Sequence, residues 1–103
     1  MVKIHWTITA EKDLINIGDY IAKDSSYYAV EFVDKVIQQV EKLESFPKRG
    51  RVVPEFKNQN LREIIFHNYR IVYLIRRSTV FVISLSHASM DLTQKAKKQK
   101  WVV

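Results

Sequence analysis

Glu55, Arg70 and His87 are the residues of this chain best suited to phosphate chemistry. Metal-independent RNA cleavage needs a base for the 2′-hydroxyl, an acid for the leaving oxygen and a cation on the phosphate. Carboxylate or imidazole serves the first two roles, and a guanidinium fork matches phosphate oxygens. The same residues also have a plain structural use. Arg70 can pair with Glu55 or Glu63, and His87 can hydrogen-bond at a strand end. Spacing alone leaves both uses open. Arg49, Arg51, Arg62 and Tyr73 add further polar groups to the same loop and sheet. Other chemistries are poorly served. With no cysteine there is no thiolate nucleophile, no disulfide framework and a natural fit to a reducing compartment. His5, His67 and His87 stand on separate elements without metal-ligand spacing. Neither a Gly-rich phosphate loop nor a G-x-S-x-G elbow occurs. No metal and no cofactor are expected.

These residues must be held by a scaffold, and its pattern is readable. Val2, Ile4 and Trp6 alternate with polar residues, as a short strand does. Thr9 is placed to cap a helix carrying Glu11 and Asp13 near its positive end, with Leu14, Ile17 and Ile21 at helical spacing. That helix should stop near Lys23 or Asp24. Ser25 or Ser26 then caps a second, whose stripe is Ala29, Phe32, Val33, Val36, Val40 and Leu43, widened by Ile37. Pro47 and Gly50 end it, and the short link implies an antiparallel helical hairpin.

Residues 48–60 form a basic, polar loop. Strands over 61–66, 69–76 and 79–86 follow, rich in β-branched and aromatic residues. His67-Asn68 makes the first turn, with Asn68 at positive φ, and Arg77-Ser78 the second. Alternation puts Arg70, Val72, Leu74 and Arg76 on one face, and Tyr69, Ile71, Tyr73 and Ile75 on the other. Arg70 and His87 come close if the register allows. The expectation is an α+β fold, β-α-α-β-β-β, with a helical hairpin on one face of a mainly antiparallel sheet. The opposite face is left for solvent or a partner. One domain over 1–103 is expected, with a basic tail at 91–103 carrying Leu92 and Ala96 on one side. Trp101 either packs back or meets a partner.

Charge is divided along the chain. Residues 1–46 carry five Lys/Arg and eight Asp/Glu; residues 47–103 carry twelve and three. A one-sided basic surface suits nucleic acid or an acidic protein segment, although the tail lysines can also form a solvated face. The N-terminus lacks a long apolar run, which argues against a signal peptide or membrane span. The cytoplasm is the expected location, and no membrane partner is expected.

An ordered series of short motifs then resembles one family. It runs through Trp6-Thr7, residues 10–17, Tyr20-Ile21, Phe46-Pro47, Gly50 to Glu55, Leu61-Arg62-Glu63, Tyr69 to Tyr73 and His87 to Leu92. The chain resembles the RelE/ParE superfamily of toxins from type II toxin–antitoxin modules. The resemblance implies a growth-inhibitory toxin neutralised by a cognate antitoxin. That antitoxin would be an acidic protein that wraps the toxin, and operator DNA would be reached only through it. RelE-like members cleave mRNA on the ribosome, and one subgroup uses Glu, Arg and His. Glu55, Arg70 and His87 fall at the matching places, while Ala88 stands where those members carry a Tyr. ParE-like members inhibit DNA gyrase and tend to end in His-x-x-Met-Asp and a tail, as His87, Met90 and Asp91 do here. The ParE-like reading is favoured, with the ribosome-dependent nuclease and a non-toxic antitoxin-binding homologue as alternatives. Arg49, Arg51, Arg62, Tyr73, Met90, Asp91 and Lys95 are the candidate target- or antitoxin-binding residues.

Overall fold

The computed structural model describes residues 1–101. The elements are β1 (Lys3–Trp6), α1 (Ile8–Ala22), α2 (Ser26–Glu41), β2 (Arg51–Val52), β3 (Leu61–Phe66), β4 (Tyr69–Arg76), β5 (Thr79–His87) and α3 (Leu92–Gln99). They build one sheet in the order β1-β5-β4-β3-β2. Only β1 is parallel to its neighbour; the other pairings are antiparallel. The expected order is present, with a two-residue edge strand and a terminal helix added.

Both hairpin helices start on side-chain caps. Thr7, not Thr9, caps α1: its Oγ1 accepts from the Ala10 N–H and also donates to the Val82 carbonyl. One residue therefore ends β1 against β5 and opens the helix, which is why the start lies two residues earlier than the sequence suggests. Ser25 caps α2 through the Tyr28 N–H. The hairpin and the helical turn that follows it bury Ala10, Leu14, Phe32, Val36, Val40 and Leu43 against Ile64, Ile71, Tyr73, Val80, Val82 and Leu85 of the sheet. Ile37 sits at the edge of this stripe and is exposed. A bulge between Val72 and Tyr73 shifts the pairing, so Val72 faces Ser84 and Tyr73 faces Val82. Ile83 is the extra residue. The bulge lets Val82 and Leu85, three apart, both reach the helix-side core.

The opposite sheet face is covered, not open. Val53, Leu61, Val72, Leu74 and Leu92 form a second apolar cluster, with Phe56, Phe81, Ile83 and Trp101 packed against it. The loop after β2 and helix α3 supply the cover. Alternation shows which face a residue takes, but not whether a later segment folds back over it. The basic tail thus becomes α3, capped by Asp91 and anchored by the fully buried Leu92. Positions 102 and 103 of the expected tail lie outside the described residues. In the first strand turn the left-handed residue is His67 (φ 52°), not Asn68, and the His67 ring packs on Phe66 at 4.3 Å. Arg77 and Ser78 are both left-handed, the geometry that a two-residue hairpin of the right twist demands.

Candidate functional site

Arg70 projects from β4 onto the face covered by α3. It is 4% exposed, so its charge must be matched inside the protein. Its Nη1 and Nη2 each donate to one oxygen of Glu55 at 2.7 Å, a bidentate fork. Its Nε donates to Glu63 Oε1 at 2.5 Å, and Nη1 also reaches the Met90 carbonyl at 3.0 Å. Glu63 is fully buried and takes a second cation, Arg51 Nε, at 2.8 Å. Glu55 Oε2 also accepts the Leu92 N–H at 3.0 Å, at the start of α3. Two guanidinium groups and two carboxylates therefore neutralise one another. The Arg70 fork holds the Glu55 carboxyl down at about 2, against the opposing effect of burial. The same pair raises Arg70 further above its ordinary range. No buried side-chain polar atom among the described residues lacks a partner.

The register decides whether Glu55, Arg70 and His87 can act as a triad. Arg70 pairs with Ser86, while His87 pairs with Tyr69. Adjacent residues of a strand point to opposite faces. His87 accordingly lies on the helix side, its ring edge on Tyr69 at 5.9 Å. Glu55 and Arg70 are brought together, and His87 is not with them. His87 Nδ1 contacts the Ser89 hydroxyl at 2.8 Å and accepts the Ser89 N–H at 3.2 Å. The Met90 N–H returns to the His87 carbonyl, and Asp91 Oδ1 accepts from the Thr93 N–H. The segment from His87 to Asp91 is thus a turn that leads β5 into the cap of α3. Beside it runs a groove of about 300 Å³ bordered by Asn16, Ile17, Tyr20, Tyr69, His87 and Met90.

The basic residues divide into braces and free groups. Arg62 donates through Nη1 to the carbonyls of Gly50 (2.9 Å) and Lys48 (3.4 Å), and through Nε to that of Gln59 (2.9 Å). Tyr73 is fully buried; its hydroxyl donates to the Pro47 carbonyl at 2.7 Å and accepts the Gly50 N–H at 3.0 Å. Burial raises its pKa, and the Gly50 N–H opposes that. Tyr73 therefore cannot be a surface contact; it ties down the loop from inside. Gly50 is required there, because a Cβ would lie 2.6 Å from the Glu63 carbonyl oxygen. On this loop Phe46, Lys48 and Arg49 are exposed, and Arg51 keeps its side chain 59% exposed while pairing with Glu63.

Lys95 is not a free tail lysine either. Its Nζ donates to Asp13 Oδ2 (3.0 Å), the Leu85 carbonyl (2.6 Å) and Ser86 Oγ (2.7 Å). Asp13 also accepts from the Leu85 N–H and the Ser84 hydroxyl, both at 3.0 Å, and from Gln99 at 3.3 Å. β1 ends opposite Val82, which leaves the outer edge of β5 beyond it unpaired. Asp13 takes over the role of the missing strand there and holds α3 by Lys95. Sequence reasoning misses this hub, because an aspartate in the first half of a helix reads as dipole compensation. In the sequence Glu63 stands only as an alternative partner of Arg70; its place between two arginines in adjacent strands is the available signal. Among the described residues no three His, Cys, Asp or Glu are grouped to hold a metal ion, and no helix is long and apolar enough to cross a membrane.

A helical hairpin on a five-stranded sheet, closed from behind by a short terminal helix, defines a class of small α+β proteins that includes toxin–antitoxin components. The fold matches a chain of the chromosomal ParDE toxin–antitoxin system from P. aeruginosa with a TM-score of 0.72, at 18% identity, covering 86% of this chain and 98% of that one. It matches a chain of the toxin–antitoxin complex RelBE2 from Mycobacterium tuberculosis at 0.60, with 20% identity, 85% of this chain and 93% of that one. In sequence, the chain is 31% identical over 94 residues to the protein named "Putative toxin Y4kP" from Sinorhizobium fredii, covering 89% of this chain and 94% of that protein. Residues 4–92 match the profile of the ParE toxin of the type II toxin–antitoxin system parDE. The chain belongs to that family, within the RelE/ParE superfamily of toxins.

Proposed function

We propose that this toxin blocks growth by inhibiting DNA gyrase, without bond-cleaving chemistry of its own. The observation that carries the reading is the engagement of Arg70 inside the protein, with four of its five N–H donors already used. A guanidinium that grips a scissile phosphate needs free donors, and this one spends four hydrogen bonds on Glu55, Glu63 and Met90. The position of His87 on the other sheet face supports the same reading, as does membership of the ParE family. A gyrase inhibitor acts in the cytoplasm. Its partner is a cognate antitoxin with an acidic segment that covers the exposed cations of the 46–51 loop, and operator DNA is bound through that antitoxin. The supercoiling activity of purified gyrase tests the proposal. Inhibition is expected at stoichiometric toxin and reversal on adding antitoxin; full supercoiling at excess toxin overturns it. The ribosome-dependent nuclease using Glu55, Arg70 and His87 is separated by a translating extract, where the gyrase reading expects intact transcripts. Harmless expression without antitoxin would leave only the non-toxic homologue.

A further inference from the structure

Trp101 is the residue that neither the fold nor gyrase inhibition fully uses. Lys100 stands at φ 55°, a left-handed conformation that favours glycine. Its N–H bonds the Lys97 carbonyl and the Trp101 N–H bonds the Ala96 carbonyl. This cap turns the chain back and lays the indole against the sheet, tilted on Phe56 at 6.1 Å. The indole Nε1–H donates to Gln99 Oε1 at 2.9 Å, so the ring's polar edge is satisfied internally. The ring remains only partly buried. It lines a groove of about 250 Å³ together with the apolar Leu74, Phe81 and Ile83 and the cationic Arg76 and Lys100.

The groove has a one-sided charge. Among the described residues no carboxylate side chain lines it, and none of their ion pairs uses Arg76 or Lys100. Lys3 pairs with Thr79, and Thr79 pairs with Arg76, so Lys3 and Arg76 are two strand spacings apart, about 10 Å. His5 places its ring edge on Phe81 at 5.5 Å, on the same face. Aromatic rings lining a groove beside cations that enter none of those ion pairs are what a single strand of nucleic acid requires: a stacking platform for a base, and positive charge for the phosphates on either side. The size limits the occupant. Clefts for drug-sized ligands hold roughly 300–1,000 Å³, so this one takes a single planar ring system.

We infer that this groove binds one base of single-stranded nucleic acid, stacked against Trp101 and Phe81, with the flanking phosphates on Arg76, Lys100 and Lys3. It is a binding site without cleavage, it shares no lining residue with the Glu55–Arg70 cluster, and it does not depend on the gyrase reading. Fluorescence anisotropy of labelled 12-mers of deoxythymidine and of uridine, titrated with the full chain at several salt concentrations, tests it. Saturable binding of either polymer is expected, and the DNA and RNA arms name which. Affinity should fall with salt by about 0.7 log units per log unit of salt for each phosphate engaged. Trp101→Ala and Arg76→Glu should each weaken binding by about ten-fold or more, and Trp101→Phe should retain most of it. If Trp101→Ala lowers the melting temperature, the exposed-site variants Arg76→Glu and Lys100→Glu decide. Absence of binding, indifference to these variants, or equal competition by poly-glutamate or a blunt duplex would overturn the inference, the last two showing a general anion or acidic-protein surface.

Discussion

Arg70 and Glu55 face each other as a two-pronged pair, Nη1 and Nη2 each 2.7 Å from one carboxylate oxygen. Glu55 belongs to the loop after β2 and also accepts the first N–H of α3. One carboxylate thus joins strand, loop and terminal helix. Its carboxyl is held at about 2, against an ordinary 4.5. A depressed carboxylate stabilises the folded state above its unfolded value, and that contribution is lost as pH falls through the folded value. The difference corresponds to on the order of 3 kcal/mol. Glu55→Gln should therefore melt well below the parent protein near pH 7. The gap should close between about pH 4.5 and 2, measured by thermal melts across that range.

Glu63 makes Arg70 costly to remove. The Glu63 side chain is fully buried and receives Arg70 Nε. Truncating one partner of a buried pair leaves an uncompensated charge and costs roughly 3–5 kcal/mol. Arg70→Ala should destabilise by that order in chemical denaturation. The triple variant Arg70→Met with Glu63→Leu and Glu55→Gln should recover much of the loss, because it removes the guanidinium together with both carboxylates it serves. Toxicity lost in Arg70→Ala would then report unfolding rather than chemistry, and toxicity restored in the triple variant would confirm it.

The loop that carries the free cations is set from beneath. Tyr73→Phe removes one hydroxyl that serves both Pro47 and Gly50, leaving two backbone groups short of a partner at about 1–3 kcal/mol. Gly50→Ala forces a methyl against the Glu63 carbonyl and the Tyr73 hydroxyl, 2.6 and 2.7 Å away, with a cost of about 1–3 kcal/mol. Both variants should speed amide exchange over residues 47–51 more than in the helices. Equal protection in parent and variants would show that the brace is idle.

The exposed members of that loop are expected to meet the antitoxin. Lys48→Glu with Arg49→Glu reverses two charges without touching a buried group. Antitoxin binding should weaken by an order of magnitude or more at low salt, mainly through slower association, because rim charges act on encounter. Unchanged kinetics on an immobilised antitoxin would remove this loop from the interface.

The strands and the helical hairpin are legible in the sequence because their signals are local. The stripe from Ala29 to Leu43 and the alternation in residues 69–76 each follow from one period. The face of Arg70 is legible too. Its burial is not, because the cover comes from residues 53–58 and α3, segments outside its strand that precede and follow it in the chain. The separation of Arg70 from His87 depends on register, which the Val72–Tyr73 bulge and two tight turns set. Lys95 and Asp13 lie 82 positions apart, so no spacing rule could pair them. An ion pair of Arg70 with either Glu55 or Glu63, the plainer of its two uses, understates the outcome: it pairs with both.

The long-range pair of Asp13 and Lys95 controls the terminal helix. Leu92 anchors one end of α3 in the second apolar cluster, and Trp101 packs beyond the other on Phe56. Between them Lys95 and Gln99 bond to the body, and both reach Asp13. Asp13→Asn keeps the shape but removes the charge that Lys95 Nζ needs, and it leaves an ammonium 14% exposed without its counter-ion. It also weakens the acceptor for the Leu85 N–H at the open edge of β5. Asp13→Asn should loosen α3 and this edge together, by about 1–3 kcal/mol in local opening free energy. Native-state hydrogen exchange should show faster amides in residues 92–99 and 84–86, with those of β3 unchanged. Lys95→Met keeps the aliphatic stem and removes the cation, while Asp13 still accepts the Leu85 N–H. It should open α3 while leaving the Leu85 amide protected. Loss of protection across the whole sheet in either variant would mean that the Asp13–Lys95 pair supports the global fold rather than the docking of one helix.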